Sequence, residues 1–312
     1  MVSFLMFSCE DMLQTVVNID IPPHDPVLVL NSVLSSEQEI SVLISSSVGA
    51  FEQTIPSCVN DAEVFIYENN VFLDTLLIDL ENTDSTFLYT NMGQSMIPMN
   101  LYKSDIIPNS GSTYTVIVNH PDYDNISATT YIPEDIVVTN IQVDTVTSIE
   151  KIGFSFVFND DAVQQNYYRL KLFSSCVKTY LDEYGDTMEY SFGERIDMMS
   201  NDPSFPGEIP FEGYTFYGNQ VVFSDDLFNG QTKNILIDVE SEGFQYSDCD
   251  TVAIQFSTFS NDTYSYYNSL NSHEEKGVLG VFGGEVVPVY SNVQSGLGAL
   301  ISVNAQNIYL KP

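Results

Sequence analysis

Ala62-Glu63-Val64-Phe65-Ile66-Tyr67-Glu68-Asn69-Asn70-Val71-Phe72-Leu73-Asp74-Thr75-Leu76-Leu77 contains two strands and the turn between them. Ala62, Val64 and Ile66 alternate with Glu63, Phe65 and Tyr67, the two-residue period of a half-buried strand. Glu68-Asn69-Asn70 supplies the turn, because Asn tolerates the positive φ that a tight hairpin requires. Val71 to Leu77 then returns. The same pattern lies on both sides. Upstream, Val27 to Leu30 is a compact apolar run, and Ile40, Val42 and Ile44 alternate with Ser41, Leu43 and Ser45. Downstream, Tyr114, Val116 and Val118 form one face of a strand, and Ile126 to Ile132 follows the turn Pro121-Asp122-Tyr123-Asp124. Short strands at this spacing, without long helical stretches between them, predict an all-β chain that opens with an immunoglobulin-like β-sandwich.

Pro133-Glu134-Asp135 marks a boundary, since Pro ends a strand and two acids suit an exposed linker. The expected organisation is a signal segment over 1–9, a β-sandwich over 10–134 and a second β-rich, sandwich-like domain over 135–312. Strands are expected at Gly153 to Phe158, Tyr167 to Phe173, Gln220 to Phe223, Asn234 to Val239 and Thr251 to Phe259. Residues 178–219, rich in Gly, Pro, Tyr and acids, read as a long loop over the second domain. One helix is expected after Asn261 or Asp262 as cap. Tyr264, Tyr267 and Leu270 would share a face, and Gly277 would stop it.

Composition narrows the partners. The 312 residues carry 43 Asp and Glu against 9 Lys and Arg, a net charge of −34. Nucleic-acid binding rests on Lys and Arg neutralising phosphates, so that class is excluded. The acids are spread along the chain and read as a solvated surface. There are 19 Tyr, 20 Phe and no Trp, aromatics that suit strands. No segment after residue 10 approaches the roughly 18 consecutive apolar residues of a spanning helix.

The N-terminus reads Met1-Val2-Ser3-Phe4-Leu5-Met6-Phe7-Ser8-Cys9-Glu10-Asp11. An apolar run, a small residue and a Cys resemble the end of a bacterial lipoprotein signal peptide, with Cys9 as the lipidated residue. The segment before Cys9 is short and lacks Lys or Arg, where a full signal peptide carries a basic region. Glu10 and Asp11 resemble the acidic signal that directs Bacteroidota lipoproteins to the cell surface. Of the other cysteines, Cys176 ends one predicted strand and Cys249 precedes another, which makes them candidates for a disulfide in an oxidising compartment, though strand-end positions alone do not establish one. Cys58 would remain a packed thiol.

No catalytic constellation is visible, and the chain is expected not to be an enzyme. There is no Gly-x-Ser-x-Gly elbow, phosphate-binding glycine loop or His-Glu-x-x-His. His24, His120 and His273 lie far apart in sequence. Asp160-Asp161, Asp182 with Glu183 and Asp186, and Asp225-Asp226 could offer oxygens to Ca²⁺, but turns demand Asp equally, so no metal or cofactor is assigned.

Several stretches together resemble the Bacteroidota lipoprotein family known as domain of unknown function 4249. They are Pro26-Val27-Leu28-Val29-Leu30-Asn31-Ser32-Val33-Leu34 with Ile40-Ser41-Val42, then Val59-Asn60-Asp61-Ala62-Glu63-Val64, then Tyr114-Thr115-Val116-Ile117-Val118 with Ala128-Thr129-Thr130-Tyr131-Ile132-Pro133, and finally Pro288-Val289-Tyr290-Ser291-Asn292-Val293-Gln294-Ser295-Gly296-Leu297-Gly298. Ser32 and Ala299 depart from the family pattern at structural positions. The resemblance implies an outer-membrane, lipid-anchored, surface-exposed protein that serves as non-catalytic partner of a TonB-dependent β-barrel transporter. Tyr and Phe in 178–219 and 262–292 are the expected contact surface. The rival expectation is a glycan-binding or glycan-cleaving surface protein, whose mark would be an aromatic-lined groove holding two carboxylates.

Overall fold

A computed structural model describes residues 25–49, 56–90, 93–148, 151–182, 184–207, 213–240, 249–277 and 287–310. The protein is all-β, with one helix among these residues. The N-terminal half supplies β1 (Leu28–Ser35), β2 (Ile40–Ser46), β3 (Glu63–Glu68), β4 (Val71–Ile78), β5 (Asp84–Thr90), β6 (Gly93–Met99), β7 (Tyr102–Ser104), β8 (Thr113–His120) and β9 (Tyr123–Tyr131). The hairpin predicted from the Asn-Asn turn is β3–β4, with φ of 49° at Asn69 and 66° at Asn70. The C-terminal half supplies β10 (Thr139–Ser148), β11 (Lys151–Asn159), β12 (Tyr167–Leu181), β13 (Thr187–Arg195), β14 (Met198–Ser200), β15 (Phe216–Gly218), β16 (Gln220–Ser224), β17 (Thr232–Glu240) and β18 (Cys249–Phe259). Helix α1 (Asn261–Gly277) follows, then β19 (Val293–Gln294) and β20 (Leu297–Leu310).

The first sheet runs β1-β2-β7-β4-β3-β8-β9-β19. β19 passes through Ser295-Gly296 into β20, which pairs with β1, so the sheet curls until its two ends meet. The alternation read from the sequence fills the space inside: Leu30, Ile44, Val64, Ile66, Val116 and Val118 are fully buried. Each such side chain contributes about 1.5–3 kcal/mol relative to exposure. Tyr102 and Tyr114 are buried there too, and both phenols are bonded. Tyr102 donates to the Val59 carbonyl at 2.9 Å and Tyr114 to Glu68 at 2.8 Å. Burial, with Glu68 beside it, pushes the Tyr114 phenol up to about 12.

The second core lies between the sheet β10-β11-β17-β14-β15 and the strands β12, β16 and β18. It is rich in aromatics. Phe158, Tyr168, Phe223, Phe228 and Phe256 pack ring against ring at centroid distances of 4.9 to 6.2 Å.

One strand belongs to both halves. Leu297 to Val303 of β20 pairs parallel with β1, and Val303 to Leu310 pairs antiparallel with β18. Around this shared strand runs a buried polar seam. Ser302 donates to the Tyr131 carbonyl at 2.6 Å, and Thr263 donates to the Ser302 carbonyl at 2.6 Å. Asn304 donates to the Pro133 carbonyl at 3.0 Å and to Asp135 at 2.7 Å. Ser260 caps α1, accepting from the Thr263 amide at 3.2 Å, where Asn261 or Asp262 was the expected cap. The expected Gly277 stop is the last residue of α1.

Residues 178–219 are not one loop. β12 continues to Leu181, turns through 182–186 and returns as β13, a hairpin arm. The tip is held by Asp182, whose Oδ1 accepts from the amides of Tyr184 and Asp186, both at 2.9 Å.

Close approach of β20 to β1 depends on Gly298. Its φ is +97°, and a Cβ there would lie 2.1 Å from the Leu30 carbonyl oxygen. Gly298→Ala is expected to cost about 4 kcal/mol or more, or to prevent folding. Gly185→Ala at the arm tip also has a positive φ, +83°, but open space around it, and should cost only about 1–2 kcal/mol. Urea denaturation of both variants checks the ranking. Equal losses would remove β20–β1 contact as the cause.

Candidate functional site

Cys9 lies outside the described residues, as does His24. Cys58 is half-buried, and its thiol donates to the Pro98 carbonyl at 3.4 Å. Cys176 and Cys249 are register partners across the antiparallel β12–β18 ladder, next to a bulge at the end of β18. Directly opposed residues on such a ladder have Cα atoms about 4.5–5.5 Å apart. That falls inside the window a disulfide needs. The sequence names the two cysteines as a candidate pair, and the register sets them opposite each other.

The pair marks the root of the arm. Among the described residues β18 begins at Cys249, and β12 beyond Cys176 is flanked there by β13 alone. The arm carries large exposed side chains: Val177, Tyr180, Leu181, Tyr184 and Met188, with Tyr184 at 90% and Leu181 at 69% exposure. Exposed apolar side chains of this size, lying outside either core, mark contact surfaces.

A cavity of about 650 Å³ lies between the two halves, lined in part by Glu37, Asn109, Asp135, Thr258, Asn304 and Gln306. Its carboxylates are Glu37 and Asp135. Its aromatic ring, Phe256, is 1% exposed and belongs to the C-terminal core. The groove therefore offers hydrogen bonds but no face on which a sugar ring would stack.

Topology also gathers the Asp160-Asp161 and Asp225-Asp226 pairs around Asn166. Asp160 accepts from the Tyr168 phenol and from the Gly230 amide at 2.7 Å. Asp225, 1% exposed, accepts from the Asn166 amide at 2.8 Å. Burial pushes the Asp225 carboxyl above its ordinary value, and the charges of Asp160 and Asp226 add to the effect. Asp226 takes Gln165 at 2.9 Å and Ser224 at 2.6 Å. These oxygens tie loops together. Among the described residues, no group of three or more His, Cys, Asp or Glu could hold a metal ion.

His120 bonds Asp61 at 3.1 Å and accepts from the Asp122 amide at 3.1 Å, bracing the β8–β9 turn. His273 meets the Val287 carbonyl at 2.6 Å. The structure does not bring them together.

Among the described residues no helix is long and apolar enough to cross a membrane. Nothing among curated proteins matches the chain. Among solved structures, it is similar to a Bacteroides uniformis protein provisionally described as carbohydrate-binding, at 11% identity over 92% of this chain and 99% of that one, with a TM-score of 0.22. It is also similar to a chain from the structure of manganese lipoxygenase of Gaeumannomyces graminis and partial zonadhesin of Komagataella pastoris, at 11% identity, 91% and 93% coverage and a TM-score of 0.20. Likenesses at these scores carry no argument. The family model described as domain of unknown function (DUF4249) matches residues 14–308. It covers both halves, the arm and the shared strand: the chain belongs to the DUF4249 family.

Proposed function

We propose that this protein is a lipid-anchored, surface-exposed outer-membrane protein and the non-catalytic partner of a TonB-dependent β-barrel transporter, which it meets through the β12–β13 arm. The observation that carries the reading is the arm itself, whose exposed Tyr180, Leu181, Tyr184 and Met188 lie beyond both cores. Aromatics and Met are enriched at protein interfaces. A hairpin fixed at one end by a sheet also loses little conformational freedom on docking. Cys9 is the anchor, since acyl chains partition into a bilayer at about 0.8 kcal/mol per buried CH₂. Cys176 and Cys249 form a disulfide at the arm's root, and the register pairing supports it. The polar groove with Glu37 and Asp135 lacks a stacking ring, so that groove does not favour the glycan reading.

Pull-down from detergent-solubilised outer membranes of the native host should recover a barrel protein with the wild type. The Leu181→Ser/Tyr184→Ser variant should recover at least tenfold less. Equal recovery, or no barrel with either, removes the arm's role. Cys9→Ala should shift the protein from the membrane to the soluble fraction and abolish lipid labelling. Unchanged fractionation counts against the anchor. Non-reducing peptide mapping should join the Cys176 and Cys249 peptides, and reduction should lower stability by about 2–4 kcal/mol. Free thiols at both positions in protein from the native host would exclude the bridge.

A further inference from the structure

Lys and Arg number only nine in the whole chain, yet three of them share one face. Arg169 and Lys171 occupy alternate positions of β12, on the side away from the buried Tyr168, Leu170 and Leu172. Arg195 ends β13 opposite Phe173, the next position in the same alternation. Across the ladder to β18, Arg169 is paired with Ser257 and Lys171 with Gln255. The Phe259 ring lies 4.8 Å from the Arg169 guanidinium, and Tyr267 of α1 packs 6.2 Å from Phe259.

This grouping lacks the counter-charges found elsewhere. Lys103 has Asp79 at 2.9 Å and Lys233 has Asp202 at 2.6 Å. Among the described residues, Arg169, Lys171 and Arg195 have no carboxylate partner, in a chain where carboxylates outnumber cations almost five to one. Two polar atoms here are buried without a hydrogen bond: Nε of Arg169 and Oγ of Ser257, the latter on a side chain 1% exposed. Both can donate. Burial, then the charges of Arg169 and Arg195, hold the Lys171 ammonium down at about 8. Like charges held together and donors left unpaired are costly in the empty protein, and an oxyanion would offset both.

We propose that Arg169, Lys171, Arg195 and Ser257 form a binding site for an oxyanion group of a small molecule, with the exposed Tyr267 ring beside it to receive the ligand's apolar or ring portion. A guanidinium next to an ammonium and a hydroxyl suits a carboxylate, sulfate or phosphate, and three positive charges favour a dianion over a monoanion. Arg195 is exposed and stands at the open side of the site. The site is separate from the arm's contact surface and holds whether or not the arm meets a transporter.

The test is calorimetric titration of the full chain with sodium sulfate, sodium phosphate and sodium acetate, each against sodium chloride at matched ionic strength. Thermal unfolding runs in parallel. Sulfate stabilises proteins generally by exclusion from their surfaces, so the diagnostic is a saturable response that the variants lose. Sulfate or phosphate should bind saturably, and Lys171→Met and Arg195→Gln should each weaken binding at least tenfold while keeping the wild-type circular dichroism spectrum. Arg195→Gln alters an exposed side chain, so it reports even if the other variant misfolds. A saturable response to acetate in place of the tetrahedral anions assigns the site to carboxylates and still supports it. No saturable response to any of the three, or unchanged binding in both variants, overturns the proposal.

Discussion

The structure depends on a single strand hydrogen-bonded on both edges. β20 pairs parallel with β1 along its first half and antiparallel with β18 along its second. Without it the N-terminal sheet would not close and the C-terminal sandwich would lose an edge. The parallel pairing in turn rests on a backbone contact so close that Gly298 has no room for a side chain. The polar seam follows from the same geometry. Where one strand passes from one core to the other, neither apolar interior can surround it, and Thr130, Ser260, Thr263, Ser302 and Asn304 satisfy its surroundings with hydrogen bonds. A buried network of this kind is favourable only when its members are bonded, so it fixes how the halves meet.

Acidic side chains serve the loops. Asp79 accepts from the Asn82 amide and from Lys103, Asp182 fastens the arm tip, and Asp202 holds Ser204 and Lys233. Each gives a turn the acceptor it lacks, which explains how a chain so negative builds ordered connections without metal-like clusters. Against this background the Arg169–Lys171–Arg195 face stands out, because Arg169 Nε and Ser257 Oγ are, among the described residues, the buried donors left without acceptors.

Much of this was legible in the sequence, for a specific reason. Where a strand buries one face, alternation must appear, and Val64/Ile66, Tyr114/Val116/Val118 and Tyr168/Leu170/Leu172 all follow it. β20 escaped because Ala299 to Ser302 are buried in succession between two bodies, which erases the period. The arm escaped because its described side chains are mostly exposed and show no buried alternation, so its Tyr and acids read as loop. The sites divide in the same way. Cys176 and Cys249 were legible in the sequence as a candidate pair, and the β12–β18 register sets them opposite each other; the meeting of Arg169 with Ser257 is visible only in that register. Register is a property of two distant segments, and one segment's composition does not encode it.

The shared strand also sets the order in which the molecule can assemble. Ser36 bonds Asn304 across 268 residues of chain, and β1 finds its parallel partner only in β20. A ribosome or a secretion channel delivers β1 well before β20, so the N-terminal core stays open along one edge until β20 arrives. Contacts this far apart in sequence slow folding, because loop closure must precede the gain from pairing. The fold thereby couples the two halves: a chain cut short before Gly298 leaves both unfinished, and one that includes β20 closes them together.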